Sequence, residues 1–366
     1  MPFADELIGV GVAEGLARAI RAAAPGRALP TLQAAPHQLD GLALRERADL
    51  LRDALLTDLP GSYADLAKVV RTAHANGQDF GGWMIWPVTA AVATRAVEDG
   101  RVAAFDDAMA MMAELTGLLT AEFAIRTLLR HDLDRALPTM LAWTGSDDAD
   151  VRRLATEGSR AYLPWSIRVP ELLRRPEATI PILDALFRDP SEYVRRSVAN
   201  HLNDLSRDHP DLVAATAARW LADPDGNTAR VVRHGLRTLI KRGHPAALAV
   251  LGFTGDALKL EAPTLDTEVV AIGDTVEFRA SVHNTGATAA RVAIDYVVHH
   301  RKADGARTAK TFKLTTATLE PGASLEVRRK HSFRVITTRR YYPGPHAIGL
   351  QVNGVASDLV TFELTP

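Results

Sequence analysis

At 366 residues, 47% apolar and 24% charged, the chain exceeds one ordinary compact core, and two domains or a repeat array with an appendix are expected. With no cysteine it has no disulfide framework, thiolate metal site or cysteine nucleophile. Net charge is −1, no apolar run approaches the roughly 18 residues of a membrane span, and the acidic start Met1-Pro2-Phe3-Ala4-Asp5-Glu6 lacks an export signal, so a cytoplasmic protein away from membranes is expected.

Up to about residue 250 the pattern is helical. Leu42, Leu44, Ala48, Leu51, Leu55 and Leu56 fall at helical spacing, as do Leu133, Ala136, Leu137, Met140 and Leu141. Pro60, Pro138, Pro170, Pro181, Pro190, Pro210, Pro224 and Pro245 mark expected turns between helices. Asp189-Pro190-Ser191-Glu192-Tyr193-Val194-Arg195-Arg196 reads as a helix opening. It recurs at Asp223-Pro224, with Arg230, Val232 and Leu236 matching Arg196, Val198 and Leu202, and upstream Val151-Arg152-Arg153 matches Val194-Arg195-Arg196. Such spacings belong to two-helix HEAT-like units, which stack because none can bury its apolar face alone. The expected class is therefore mainly α, an α-solenoid of HEAT-like repeats over residues 1–255.

After Gly255 the texture alternates. Segments Val269–Val276, Val276–Val282, Val292–Val298, Phe312–Leu314, Leu325–Phe333, Ile348–Val352 and Leu359–Leu364 read as strands, separated by turn chemistry such as Asp304-Gly305, Pro321-Gly322 and Asn353-Gly354. About seven short strands predict an all-β immunoglobulin-like sandwich over 262–366. Within it, residues 301–340 carry 11 basic and 3 acidic side chains. That footprint fits a polyanion partner; a sandwich edge kept soluble by its charges is the other reading.

Phosphate-loop, dinucleotide-fold, zinc-protease and serine-elbow signatures are missing, and the histidines, His299-His300 included, lack metal-ligand spacing, so no metal or other cofactor is expected. Carboxylates remain. In the helix after Val194, the stripe Val194, Val198, Leu202 and Leu205 must pack inward, and Asp204 lies about a third of a turn off it. Upstream, Glu157 lies off the stripe Val151, Leu154, Ala155 and Gly158 in the same sense, so two repeats present an acid to one surface. Ordinary solvated acids pairing with Arg153, Arg160 or Arg207 give the same pattern.

The stretch Ala155-Thr156-Glu157-Gly158-Ser159-Arg160-Ala161-Tyr162-Leu163-Pro164-Trp165, followed by Ser191-Glu192-Tyr193-Val194-Arg195-Arg196-Ser197-Val198-Ala199-Asn200-His201-Leu202-Asn203-Asp204, resembles the AlkC family of DNA alkylation-repair glycosylases, which belongs with the AlkD-like HEAT-repeat enzymes. Ala121-Glu122-Phe123-Ala124-Ile125-Arg126, His331-Ser332-Phe333, Thr337-Thr338-Arg339 and Tyr342-Pro343-Gly344 extend the resemblance across most of the chain, including the sandwich that one branch carries. The chain departs at Ala161-Tyr162, where Pro-Arg is the family pattern.

The resemblance implies that Glu122, Glu157 and Asp204 line the lesion site and that Trp165 packs against the damaged nucleotide. It implies excision of cationic N3-methylated bases, 3-methyladenine and 3-methylcytosine, from double-stranded DNA without base flipping. Asp204 is the expected water-positioning and oxocarbenium-stabilising group, assisted by Glu122, with Glu157 third. Arg152, Arg153, Arg195 and Arg196 near helix starts, and Arg301, Lys302, Lys310, Lys313, Arg328, Lys330, Arg339 and Arg340 in the sandwich, are the expected DNA contacts. A monomer acting at the nucleoid in base excision repair is expected. A non-catalytic HEAT-repeat scaffold and a nucleic-acid-binding protein without glycosylase activity are the competing readings.

Overall fold

The computed structural model describes residues 4–77, 80–253, 257–336 and 339–366. Met1, Pro2 and Phe3 of the acidic start, Gly255 at the expected boundary, and Thr337 and Thr338 of the last motif lie outside them.

Residues from Val10 to Val250 form an α-solenoid of helices with short connections. The helix Leu44–Asp58 buries Ala48, Leu51 and Leu55 of its expected stripe. Tyr63–Asn76 begins with a capping box, the Ser62 hydroxyl accepting from Asp65 N–H while Asp65 reaches back to Ser62 N–H. Ile85–Asp99, packed against Leu44–Asp58 and Val102–Leu115, buries ten of its fifteen residues. It stops at Gly100, whose φ of 70° is a conformation costly for other residues. Pro170, Pro181, Pro210 and Pro245 lie in first helical turns, where a missing N–H costs nothing. Pro138 differs from expectation: it sits inside Leu133–Ala142, and Leu141 of that stripe is exposed.

The repeats that matter for function are Ala149–Gly158 and Glu192–Leu205, which pack directly on each other. The expected stripes, Val151, Leu154 and Ala155 on one and Val194, Val198, Leu202 and Leu205 on the other, are all buried. At Gly158 a Cβ would lie 2.7 Å from Ile125 Cγ2, so only glycine permits this close approach to the helix Ile125–His131. The third copy starts later than Asp223-Pro224 suggests. Its helix opens at Thr228, because Asp225 caps it by accepting from the N–H groups of Asn227 and Thr228. The aligned Val232 and Leu236 are nonetheless buried.

The second half is an immunoglobulin-like sandwich of β1 (Leu258–Leu260), β2 (Thr264–Leu265), β3 (Val269–Ala271), β4 (Thr275–Asn284), β5 (Ala290–Arg301), β6 (Arg307–Leu319), β7 (Ser324–Ser332), β8 (Gly344–Val352), β9 (Val355–Ala356) and β10 (Val360–Thr365). One sheet centres on β4, with β7 along one side and β1 and β2 on the other. The other sheet runs β3-β10-β8-β5-β6, with β9 paired to β8; β3 and β10 are parallel and the other pairs antiparallel. Two expected strands are revised. Val269–Val276 is broken between β3 and β4, and Phe312–Leu314 is the middle of the long β6. Alternate residues Val276, Phe278, Ala280 and Val282 of β4 and Val292, Ile294, Tyr296 and Val298 of β5 meet between the sheets. Stacked rings, Tyr296 on Phe312 at 4.9 Å, occupy a core that has no disulfide.

By compactness the chain divides into residues 1–205 with 225–231, and residues 206–224 with 232–366. The helices Pro210–Ala222 and Pro245–Val250 thus group with the strands, although helix gives way to strand only at 251–258. No helix among the described residues is long and apolar enough to cross a membrane.

Candidate active site

The turn at Glu122 and the helices Ala149–Gly158 and Glu192–Leu205 bring Glu122, Glu157 and Asp204 into one chain of hydrogen bonds and ion pairs. Thr120 Oγ1 donates to Glu122 Oε2 at 3.0 Å, and Arg153 Nη1 donates to the same oxygen at 2.7 Å. Arg153 Nη2 lies 3.7 Å from Glu157 Oε1, to which Arg160 Nη1 also donates at 2.5 Å. Arg160 then grips Asp204 side-on, Nε to Oδ2 at 2.8 Å and Nη2 to Oδ1 at 3.1 Å. Glu122, Glu157 and Arg160 are buried. The acids pair with Arg153 and Arg160, as solvated acids would, but here the pairs are largely buried, so removing one partner leaves an uncompensated charge in the fold.

Glu157 is the most enclosed of the three carboxylates. Its Oε1 accepts from arginine and its Oε2 from the Ser197 hydroxyl. Burial pushes its pKa up, but the charges of Arg160 and Arg153 and the Ser197 bond outweigh burial and hold the carboxyl below its usual range. Burial likewise lowers the Arg160 pKa, while Asp204 and Glu157 raise it above the ordinary value, so the guanidinium is permanently charged.

Trp165 lies on the segment following the helix that carries Glu157. Its backbone φ is 59°, a left-handed conformation unfavourable for a bulky residue, and its side chain is half exposed. The fully buried Arg126 holds this segment in place. Its Nη1 donates to the carbonyls of Gly158 and Arg160 at 3.0 and 2.7 Å, and its Nε to Ile167 at 2.7 Å. Burial and repulsion from Arg168 and Arg160 bring the Arg126 pKa down to about 10. Behind Glu192–Leu205 the buried His201 bonds through Nδ1 to the Thr156 carbonyl and through Nε2 to Thr179 Oγ1. Burial lowers its pKa to about 4.

The basic residues near helix starts have separate fates. Arg152 pairs with Asp189 through two bonds of 2.6 and 3.1 Å and reaches the Ser146 and Asp147 carbonyls. Arg195 is buried on the Asp189 and Pro190 carbonyls, and Arg153 belongs to the carboxylate chain. All three are engaged inside the fold. Of the four, Arg196 is exposed, 3.5 Å from Glu192.

In the sandwich, Lys302, Lys310, Lys313, Arg328, Lys330 and Arg340 are exposed, spread over β6, β7 and the adjoining turns. Arg328 and Lys330 flank Glu277, Arg301 donates to the Pro343 carbonyl at 2.6 Å, and Arg339 bonds His300 Nε2 at 2.8 Å. Among the described residues no group of three or more His, Asp or Glu side chains is arranged to hold a metal ion.

Sequence reasoning gave Arg160 only as a partner for solvated acids, and gave no role to Arg126, Ser197 or Tyr193. A positive residue three positions after an acid, just past the end of a helix whose opposite face is apolar, was the available signal for Arg160.

Fold and site together define a helical-repeat protein with arginine-paired, buried carboxylates and an exposed tryptophan, joined to an immunoglobulin-like domain. Residues 259–366 match the family model described as "Uncharacterised protein YhaZ, C-terminal Ig-like domain". The chain is 32% identical over 324 residues to the uncharacterized protein YhaZ of Bacillus subtilis (strain 168), covering 88% of each. It is 34% identical to the solved Pseudomonas fluorescens alkylpurine DNA glycosylase AlkC bound to DNA containing an abasic site analog, covering 100% of each chain with a TM-score of 0.80. The chain belongs to the AlkC family, in the branch with a C-terminal immunoglobulin-like domain.

Proposed function

We propose that this protein is a DNA glycosylase that excises alkylated bases from duplex DNA, with cationic N3-methylated bases, 3-methyladenine and 3-methylcytosine, as its substrates. The observation that carries this reading is the network in which Arg153 and Arg160 join Glu122, Glu157 and Asp204, with the half-exposed Trp165 in a left-handed conformation on the segment that follows Arg160. The likeness to an alkylpurine DNA glycosylase bound to abasic-analogue DNA supports it.

An N3-methylated base is already cationic, so it leaves with the C1′–N electron pair and becomes neutral. Positive charge then develops on the deoxyribose. Three carboxylates face two guanidiniums, Arg153 and Arg160, which leaves one excess negative charge in the network. Fixed negative charge in a water-poor site stabilises an oxocarbenium-like centre, and it is in place before the reaction begins. Water attacks C1′, and its proton passes to a carboxylate, for which Asp204 assisted by Glu122 is the assignment. Glu157, engaged on both oxygens, positions the two arginines. Trp165 offers its π face to the cationic nucleotide, a contact worth about 0.5–2 kcal/mol. An exposed ring suits a base that stays in the duplex, which supports action without base flipping. The exposed sandwich cations add duplex affinity.

The test is release of free methylated bases from alkylated duplex DNA by wild type and Asp204→Asn. Release that collapses in the variant while DNA binding persists supports the reading. No release by folded wild type overturns it in favour of a binding or scaffold protein.

A further inference from the structure

Among the described residues two aromatic side chains are strongly exposed, Trp165 at 48% and Tyr193 at 45%. Exposing a large ring forgoes its burial energy, so two such rings, one on the segment after Arg160 and one against Arg153, call for an explanation. Trp165 already has one. Tyr193 opens the helix that carries Asp204, and the Arg153 guanidinium lies 4.7 Å from the centre of its ring. Arg153 is the same group that bonds Glu122 and approaches Glu157.

We infer that Tyr193 is a second nucleic-acid contact, a stacking platform for an uncharged base or sugar of the duplex rather than for the cationic lesion. This rests on the proposed glycosylase reading for its lesion but not for its duplex. With a guanidinium on one face, the ring has a single free face, and the charge behind it withdraws electron density from that face. A second cation is disfavoured there, whereas a neutral base stacks readily. The two exposed aromatics thereby divide the work: Trp165 meets the positive nucleotide and Tyr193 the unmodified DNA. Through Arg153 the same ring steadies Glu122, so docking of undamaged duplex is coupled to the order of the site.

The experiment measures binding by fluorescence anisotropy of two labelled duplexes of one sequence, one undamaged and one with a central tetrahydrofuran abasic analogue. Wild type, Tyr193→Ala, Tyr193→Leu and Tyr193→Phe are compared, with unfolding curves confirming that each is folded. Tyr193→Ala and Tyr193→Leu are expected to weaken both duplexes by the same factor, roughly 5- to 30-fold, and Tyr193→Phe to restore wild-type affinity. Leucine covers Arg153 without a π face, so it separates stacking from shielding. Wild-type affinity in Tyr193→Ala or Tyr193→Leu, a loss confined to the abasic duplex, or failure of phenylalanine to restore binding overturns the inference. If wild type binds as described yet releases no methylated base, the glycosylase reading falls and the Tyr193 platform stands.

Discussion

Arg160 bonds Asp204 through Nε and Nη2 and Glu157 through Nη1, so a single planar guanidinium fixes acids from two successive repeats in one plane of reference. The geometry of the proposed chemistry therefore depends on an arginine that need not touch DNA. Arg160→Lys keeps the charge but loses the fork. Base release is expected to fall by at least about tenfold, since misplacing catalytic groups by an ångström has large effects. Single-turnover kinetics on alkylated duplex check this, and wild-type rates would remove Arg160 from the account.

Glu157 and Asp204 are expected to differ in kind when neutralised. Glu157→Gln leaves two buried guanidiniums short of a partner and should cost about 3–5 kcal/mol of stability. Asp204→Asn, at the end of the chain, should cost less stability and more activity. Urea unfolding of both variants beside their release rates tests the contrast, and equal stability losses would contradict it.

Trp165→Gly makes a stability–function exchange visible. A bulky residue at a φ of 59° carries a penalty of about 1–2 kcal/mol that glycine avoids. The variant is expected to unfold at the same or higher urea concentration while losing base release. A clear destabilisation would show that the indole is a packing residue.

Acid should weaken the sandwich. Burial first, then repulsion from Arg339 and neighbouring cations, lowers the His300 pKa to about 3 and that of His331 to about 4, and burial also lowers His346. These bases are neutral when folded and take up protons when unfolded, with an ordinary pKa near 6.5. Their contribution is complete above about pH 6.5 and is lost as pH falls toward the folded values, up to about 1.4 kcal/mol per pH unit for each. Asp295 works oppositely, since burial raises its carboxyl to about 6 despite Lys313 and Lys241, but it is one group against three. Urea unfolding between pH 7.5 and 5 should show falling stability, and replacing His331 with Gln should flatten the slope.

Neutralising Lys310, Lys313 and Arg340 together is expected to weaken binding to every duplex and reduce the salt slope by roughly 3. An unchanged slope excludes these three from phosphate contact.

Much of this was legible in the residues. The stripes at Val194–Leu205 and Val151–Leu154 place Glu157 and Asp204 on one surface because helical period and burial are local properties. Arg152 and Arg195 were not legible as internal residues: their partners, Asp189 and backbone carbonyls, are fixed by how repeats and loops pack. The segment that carries the left-handed Trp165 is held by Arg126, distant in sequence, a partner that no local pattern foretells. In the sandwich, turn residues marked most strand ends, but Thr- and Lys-rich β6 concealed its length because its alternation is weak.

Arg126 recognises the segment before and around Trp165 only through the carbonyls of Gly158, Arg160 and Ile167, groups that every amino acid carries. Its grip is indifferent to the side chains between them. Apart from the buried Ala161 and Leu163, the positions Tyr162, Pro164, Trp165 and Ser166 can change identity while the path of the chain is kept. The departure from the family pattern at Tyr162 is one such change. On the proposed glycosylase reading the segment is thus a cassette, in which libraries of substitutions are expected to retune lesion choice while the scaffold beneath stays as it is.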